Sequence, residues 1–255
     1  MPRILVTNDD GVFSEGIRKL ADSLSEIAEV TVVAPDREQS ASGHSLTLHR
    51  PLRMQQLQEN QYSVDGTPTD CVNLGVLWLM ADRPPDLVIS GINFGSNLGD
   101  DVTYSGTVSA TFEGALLGIP SIAFSQEIRE HFSFERASLF ARRFVSELLK
   151  EKLPSDLLLN VNIPAGAIRS VKLTRLGRRR YKQSVVEKHD PRGQRYFWIA
   201  GTPEWQEEEG TDQAALESGS VSVTPLHLDL TDHRGLENYS EIRTRLDRLA
   251  EGLAL

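Results

Sequence analysis

Short apolar runs alternate with helical periodicities along the first two thirds of the chain. The runs end at polar or turn residues, which predicts buried strands over 3–7, 30–34, 86–90, 121–125 and 157–162. Between them, apolar residues recur at three- and four-residue spacing, which predicts amphipathic helices over 15–27, 107–117 and 134–149. Because strands that alternate with helices form parallel sheets, the pattern predicts an α/β fold with a mostly parallel central sheet.

Residues 46–80 depart from this alternation. The segments 46–55 and 62–65 predict short extended pieces at a sheet edge, joined by a polar turn. A helix should then run to about residue 80, with Thr67 as its N-cap, Pro68 in its first position and Asp70 completing a capping box. This structural role accounts for these residues, so they are assigned no chemistry.

The pattern changes again after residue 162. Strands are predicted over 169–176 and 195–200, on either side of a basic, polar excursion that starts at Arg178. A solvated hairpin or a subunit contact is favoured over an anion site for these cations. A further strand over 221–225 and a terminal helix over 238–250 complete the prediction.

Composition narrows the class of protein. The 255 residues carry 27 Lys and Arg against 36 Asp and Glu, a net charge of -9 that disfavours a nucleic-acid duplex as partner. The single cysteine, Cys71, excludes an internal disulfide and is expected as a small buried side chain on a helix. No apolar run approaches the ~20 residues of a membrane helix, and the chain enters its first strand without a leader. A cytoplasmic location and no membrane partner are therefore expected.

Oxygen-bearing side chains follow the first three parallel strands. Asp9 and Asp10 end the first, a loop with Ser40 and Ser42 follows the second, and Asn93 follows the third. The carboxyl ends of parallel strands share one edge of a sheet, so these residues are expected to meet there. Such hard oxygens suit Mg²⁺ or Mn²⁺. A solvated turn is the alternative for the acidic pair alone.

A glycine-rich connection over 91–107 leads from the third strand to the next helix. Connections of this length in a compact domain are usually functional. Its end, 104–108, places small residues and free backbone N–H groups at a helix N-terminus, which is a common setting for phosphate. A metal beside a phosphate indicates phosphoryl chemistry.

These features occur together in a known family, the survival-protein-E (stationary-phase survival protein) nucleotidases, which the sequence resembles. The matching stretches lie in the family's order at 4–11, 33–37 with Ser40, 66–71, 90–93, 97–101, 104–107, 190–193 and 222–226. The resemblance implies a metal-dependent 5′-nucleotidase that hydrolyses nucleoside 5′-monophosphates, and 3′-monophosphates as well. It implies one Mg²⁺ or Mn²⁺ ion per subunit.

The resemblance also assigns residues and architecture. It implies the metal ligands Asp9, Asp10, Ser40 and Asn93, and the phosphate contacts Asn97, Ser105, Gly106 and Thr107. It further implies a Rossmann-like three-layer sandwich over about 1–168 and 220–230, with a protruding hairpin and oligomerisation segment over 169–219. The hairpin and the terminal helix would reach a neighbouring subunit in a homodimer or homotetramer.

The sequence is compatible with two mechanisms. Asp9 and Asp10 are the candidate catalytic residues, and the attacking group is either a water activated by the metal and one aspartate or an aspartate itself. No histidine has a strong claim to be the general acid that protonates the leaving sugar oxygen, although His44 is the nearest to the serine loop in sequence. The adjacent aspartates do not have the spacing that a haloacid-dehalogenase-type phosphatase requires. The chain also lacks a lysine at the position where a signalling receiver requires one. A nucleotide-binding module without turnover is the remaining alternative.

Overall fold

The structure, a computed structural model, describes residues 1–130, 132–182, 185–199, 202–206, 208–239, 242–243 and 245–246. Its strands in chain order are β1 (Arg3–Thr7), β2 (Glu29–Pro35), β3 (Met54–Gln58), β4 (Gln61–Val64), β5 (Leu87–Phe94), β6 (Ser121–Gln126), β7 (Leu158–Ile163), β8 (Ser170–Leu173), β9 (Arg179–Lys182), β10 (Val185–His189), β11 (Arg195–Ile199), β12 (Thr202–Trp205) and β13 (Ser220–Pro225). The helices are α1 (Glu15–Leu24), α2 (Pro68–Leu74), α3 (Gly106–Leu116), α4 (Glu135–Leu148), α5 (Asp212–Glu217) and α6 (His233–Asn238).

Nine of these strands form one sheet in the order β3-β4-β2-β1-β5-β6-β7-β13-β8. The six from β4 to β7 run parallel, whereas β3 and β13 pair antiparallel to their neighbours β4 and β7. From β1 the chain proceeds to β2 on one side and later to β5 on the other. The strand order therefore reverses at β1, and the crevice where α/β sheets bind ligands lies at its carboxyl end.

Helices cover both faces of the sheet. Apolar residues of α1 and α4, such as Leu20 and Ala141, pack on one face, and residues of α2 and α3, such as Val72 and Ala110, pack on the other. Cys71 is fully buried on α2, as predicted. The predicted three-layer α/β fold is confirmed.

A capping box begins α2, as the sequence predicted. The Thr67 hydroxyl accepts from the Asp70 N–H, and the Asp70 carboxylate accepts from the Thr67 N–H. The helical chain continues to Leu79, close to the predicted end, but its last turn (Gly75–Leu79) is π-helical. Gly75 lies so close to Leu5 that a Cβ would meet that side chain at 2.8 Å, so this turn packs directly on β1.

The predicted hairpin forms, and the strand predicted over 195–200 is its arm β11. Its arms pair β10 with β11 and β9 with β12, both antiparallel. The predicted strand over 169–176 is instead β8, an edge strand of the central sheet that pairs parallel with β13. Alternation alone cannot distinguish a hairpin arm from an edge strand.

The hairpin base is tied to the body of the domain. Arg179 forms an ion pair with Asp101, and its guanidinium lies 5.1 Å from the ring centroid of Trp205. At the far end of the chain, α6 ends at Asn238. Most of the predicted terminal helix over 238–250 lies outside the described residues. Among the described helices, none is long and apolar enough to cross a membrane.

Candidate active site

A cavity of about 490 Å³ opens at the carboxyl ends of β1 and β5. Its lining includes six of the eight predicted site residues, namely Asp9, Asp10, Ser40, Asn93, Asn97 and Ser105. Volume alone does not identify the site, because a groove of about 520 Å³ lies between α1 and the β3–β4 hairpin. That groove carries no pair of adjacent carboxylates in its lining.

Asp9 is the best-anchored carboxylate of the cavity. Its Oδ1 accepts a hydrogen bond from the Thr107 hydroxyl, and the backbone N–H of Thr107 also donates to it. The Gln39 N–H donates to its carbonyl oxygen at 2.8 Å, which holds the loop after β2 against β1. Burial raises the pKa of Asp9 in spite of these donors. The neighbouring helix and loop therefore fix Asp9 where its charge is unfavourable unless a cation is near.

Asp10 lies beside it with one weaker contact. The Phe94 N–H donates to its Oδ2 at 3.3 Å. Burial first, and then the charge of Asp9, raise the pKa of Asp10 to about 6, with a smaller contribution from Glu38. The hydrogen bonds to Asp9 and Asp10 therefore offset only part of the negative charge at this edge of the sheet.

The serine loop and the end of β5 supply the neutral oxygens. Ser40 is exposed at the cavity, and its hydroxyl donates to Glu38 Oε1 at 2.5 Å. The amide nitrogen of Asn93 donates to the Gly95 carbonyl oxygen at 2.8 Å, so its Oδ1 is the end that can bind a cation. The Ser42 hydroxyl is buried behind the cavity without a hydrogen-bond partner. Of the two serines, the structure places Ser40 on the cavity.

Asn97 is fixed by polar residues from two further strands. Its N–H donates to Asn162 Oδ1 and its amide nitrogen to Ser125 Oγ, both at 2.8 Å. Its carbonyl oxygen accepts from the side chains of Asn160 and Asn162 at 2.8 and 2.9 Å. The polar ends of β6 and β7 thus position the glycine-rich connection rather than lining the cavity.

The N-terminus of α3 differs in part from the prediction. Ser105 lines the cavity and caps the helix, accepting from the Val108 N–H at 3.2 Å. Gly106 and Thr107 are absent from the lining. Thr107 is fully buried and directs its hydroxyl at Asp9, while Gly106 packs against the same carboxylate. Both residues contact Asp9 directly, and their predicted contact with phosphate remains a prediction.

Two anchors of the serine loop were missed by the sequence analysis. Asp70, assigned only to the cap, also accepts from the N–H and hydroxyl of Thr47 at 2.9 and 2.6 Å. His44 Nε2 lies 2.7 Å from Glu113 Oε2 on α3, and Asn73 donates to the other oxygen of Glu113. His44 does not line the cavity. His44 holds the loop in place, and its position outside the cavity does not support a role for it as general acid.

The donor set of the cavity fits a hard divalent cation. Within the described part of the chain, no three His, Cys, Asp or Glu side chains gather as a ligand cluster. The cavity instead offers two carboxylates with raised pKa values, a hydroxyl and an amide oxygen. Such all-oxygen sets, completed by water, suit Mg²⁺ or Mn²⁺ better than zinc.

The raised pKa of Asp10 predicts an unusual pH dependence of stability. The folded pKa, about 6, exceeds the unfolded reference of 3.8, so the folded state binds the proton more tightly. Stability should fall as pH rises through this window. In chelator, Asp10→Asn should therefore stabilise the chain more at about pH 8 than at about pH 5. Thermal melts of both proteins at both pH values measure this, and an equal gain at both would contradict it.

Fold and site together define an α/β protein with an acidic, hard-oxygen site at the switch point of its sheet. The family model described as survival protein SurE matches residues 4–183. A protein of Syntrophotalea carbinolica named 5′-nucleotidase SurE is 55% identical over 240 residues, which cover 92% of this chain and 94% of the relative. A Myxococcus xanthus protein of the same name is 51% identical over 242 residues, covering 93% and 92%.

A solved structure agrees with these matches. The crystal structure of the SurE protein from Aquifex aeolicus superposes with a TM-score of 0.86 at 48% identity, covering 95% of this chain and 100% of that one. The chain belongs to the survival protein SurE family.

Proposed function

We propose that this chain is a 5′-nucleotidase that hydrolyses nucleoside 5′-monophosphates, and 3′-monophosphates as well, to nucleoside and phosphate. The observation that carries the proposal is the pair Asp9 and Asp10 on a cavity at the carboxyl end of β1, in a family whose relatives described above are named 5′-nucleotidase. The helix N-terminus at Ser105 on the same cavity suits an anionic group.

A divalent cation, Mg²⁺ or Mn²⁺, is part of this proposal, with one ion per subunit. Asp9, Asp10, Ser40 and Asn93 would hold it, because these four offer hard oxygens to the one cavity. When bound, such an ion neutralises charge on a phosphate and polarises its P–O bonds.

The chain's own groups would handle orientation and protons. Asn97 and Ser105 lie on the cavity wall and would position the phosphate, helped by the partial positive charge of the α3 N-terminus. Water attacks phosphorus in line, its oxygen forms the new P–O bond, and an Asp9 or Asp10 carboxylate accepts its proton. The ester P–O bond breaks, and the sugar oxygen leaves with a proton from solvent. Direct attack by an aspartate is the alternative, which a trapped acyl-phosphate would favour.

Phosphate release from AMP tests the proposal. We expect release in Mg²⁺ or Mn²⁺, loss of at least about nine tenths of it in excess EDTA, and recovery when the metal is restored. A module that binds nucleotides without turnover would bind AMP and release no phosphate. Full activity in EDTA after exhaustive dialysis would instead contradict the metal requirement alone.

A homodimer or homotetramer built through the hairpin is also proposed. Its β10–β11 end exposes large apolar side chains that include Phe197, Trp198 and Ile199, the last 90% exposed. Phe197 and Ile199 share one face of β11, because alternate residues of a strand do, and exposed apolar patches mark interaction sites. Light scattering after size exclusion should show an oligomer, and the double variant Phe197→Ser and Trp198→Ser should be smaller. A monomeric parent protein would exclude this part of the proposal.

A further inference from the structure

Two exposed aromatic side chains lie at the mouth of the candidate active site. Phe94 and Tyr104 line the same cavity as Asp9 and Asp10, yet they are 53% and 69% exposed. Phe94 offers no ligand for a cation, and the phosphate chemistry above uses neither ring. Exposed aromatic rings on a substrate cavity suggest contact with an apolar or aromatic part of the substrate.

The ring of Phe94 is held in place from behind. It packs edge-to-face on Phe132, with ring centroids 4.8 Å apart, and Phe132 packs edge-to-face on Phe134 at 4.7 Å. Phe134 is only 5% exposed and belongs to the main core. A row of three rings thus runs from the core to the cavity. A ring ordered in advance loses little freedom when a ligand stacks on it.

The backbones of both residues are fixed to the site itself. The Phe94 N–H donates to Asp10, as described, which joins its backbone to one of the two carboxylates. The Tyr104 N–H donates to the Asp101 carbonyl oxygen at 3.0 Å, and its own carbonyl oxygen accepts from the Gly43 N–H at 3.3 Å. The backbone is therefore held at both residues, and the Phe94 ring is also held by Phe132, on the cavity where the phosphate would bind.

We propose that Phe94 and Tyr104 bind the nucleobase of the substrate, with Phe94 as the main stacking surface. The proposal rests on the proposed nucleotidase function and names the part of the substrate that these residues recognise. Every base presents a π-face, so stacking is tolerant of base identity. The enzyme should therefore prefer nucleotides to base-free sugar phosphates while discriminating weakly among the bases.

The experiment compares two substrates in the Mg²⁺-loaded, full-length protein. Phe94→Leu should raise the KM for AMP about 5- to 150-fold more than the KM for ribose 5-phosphate, since loss of a stacked ring weakens binding by this range. Phe94→Trp should keep the parental ratio of the two KM values. The control is Phe13→Leu, because Phe13 is 70% exposed but lines the separate groove beside α1. It should leave the ratio at the parental value.

Binding of a phosphate-free ligand separates this proposal from the nucleotidase function. Adenosine titrated calorimetrically should bind the parent and bind Phe94→Leu more weakly by a similar factor. An equal change in KM for both substrates, no change for either, or no adenosine binding to the parent would overturn the base-stacking proposal. Absence of phosphate release from AMP would overturn the nucleotidase function instead, and adenosine binding would still decide the role of Phe94.

Discussion

Replacing Asp9 with asparagine is expected to lower the kcat for phosphate release from AMP by about a thousandfold, a loss of the size seen when one preorganised charge-stabilising group is removed. Asparagine keeps the shape of the side chain and can still accept from Thr107, so the change removes a charge and little else. The lost charge would weaken the hold on a cation and remove one proton acceptor. Initial rates in saturating Mg²⁺ measure the effect.

The matched control for this variant is Asp82→Asn, which removes the same charge from an exposed turn outside the cavity. It should retain the parental rate. Thermal melts in chelator add a second readout, because burial raises the pKa of Asp9 and the neutral variant should melt higher than the parent. Parental turnover by Asp9→Asn would contradict the assignment of the site. A lower melting temperature with lost activity would indicate misfolding instead.

The sequence was sufficient to predict the parts of the fold that depend on local pattern. The strand β1 and the Asp9–Asp10 pair follow from one apolar run that stops at polar residues, and the α2 cap follows from Thr67 and Asp70. The prediction that Asp9 and Asn93 lie at the same edge of the sheet required only that β1 and β5 be parallel neighbours. The structure shows that they are. The precise ligand set, by contrast, came from the family resemblance.

Long-range pairing could not be predicted in the same way. The strand β8 pairs with β13, some fifty residues away. The local alternation of β8 fits an edge strand and a hairpin arm equally well, so it could not predict this pairing. The helix cap fully explained Asp70 from its local sequence. Nothing in that sequence indicated that Asp70 also accepts hydrogen bonds from Thr47. Thr107 was read as a phosphate contact because its place at a helix N-terminus is visible in sequence, whereas its approach to Asp9 is not.

The close approach of the α3 N-terminus to Asp9 has its largest expected consequence at Gly106. A Cβ at this position would lie 2.8 Å from Asp9 Cβ, 2.9 Å from Ser42 Oγ and 3.0 Å from Asp9 Oδ2. Helix propensity alone would make alanine more stable than glycine by up to about 1 kcal/mol. The nearest atom is a Cβ at the end of β1, which cannot swing away as a long side chain can, so we expect the clash to dominate.

Gly106→Ala should therefore destabilise the chain by about 1–3 kcal/mol, the usual cost of overpacking. It should also lower kcat about a hundredfold, because a displacement of about 1 Å in a reacting group costs that much. Chemical denaturation and initial rates measure the two effects. The control is Gly166→Ala, since a Cβ at Gly166 meets no atom within 4 Å. If Gly106→Ala were as stable and as active as the parent, Asp9 would not be held against α3, and the geometry on which the proposed catalysis depends would be wrong.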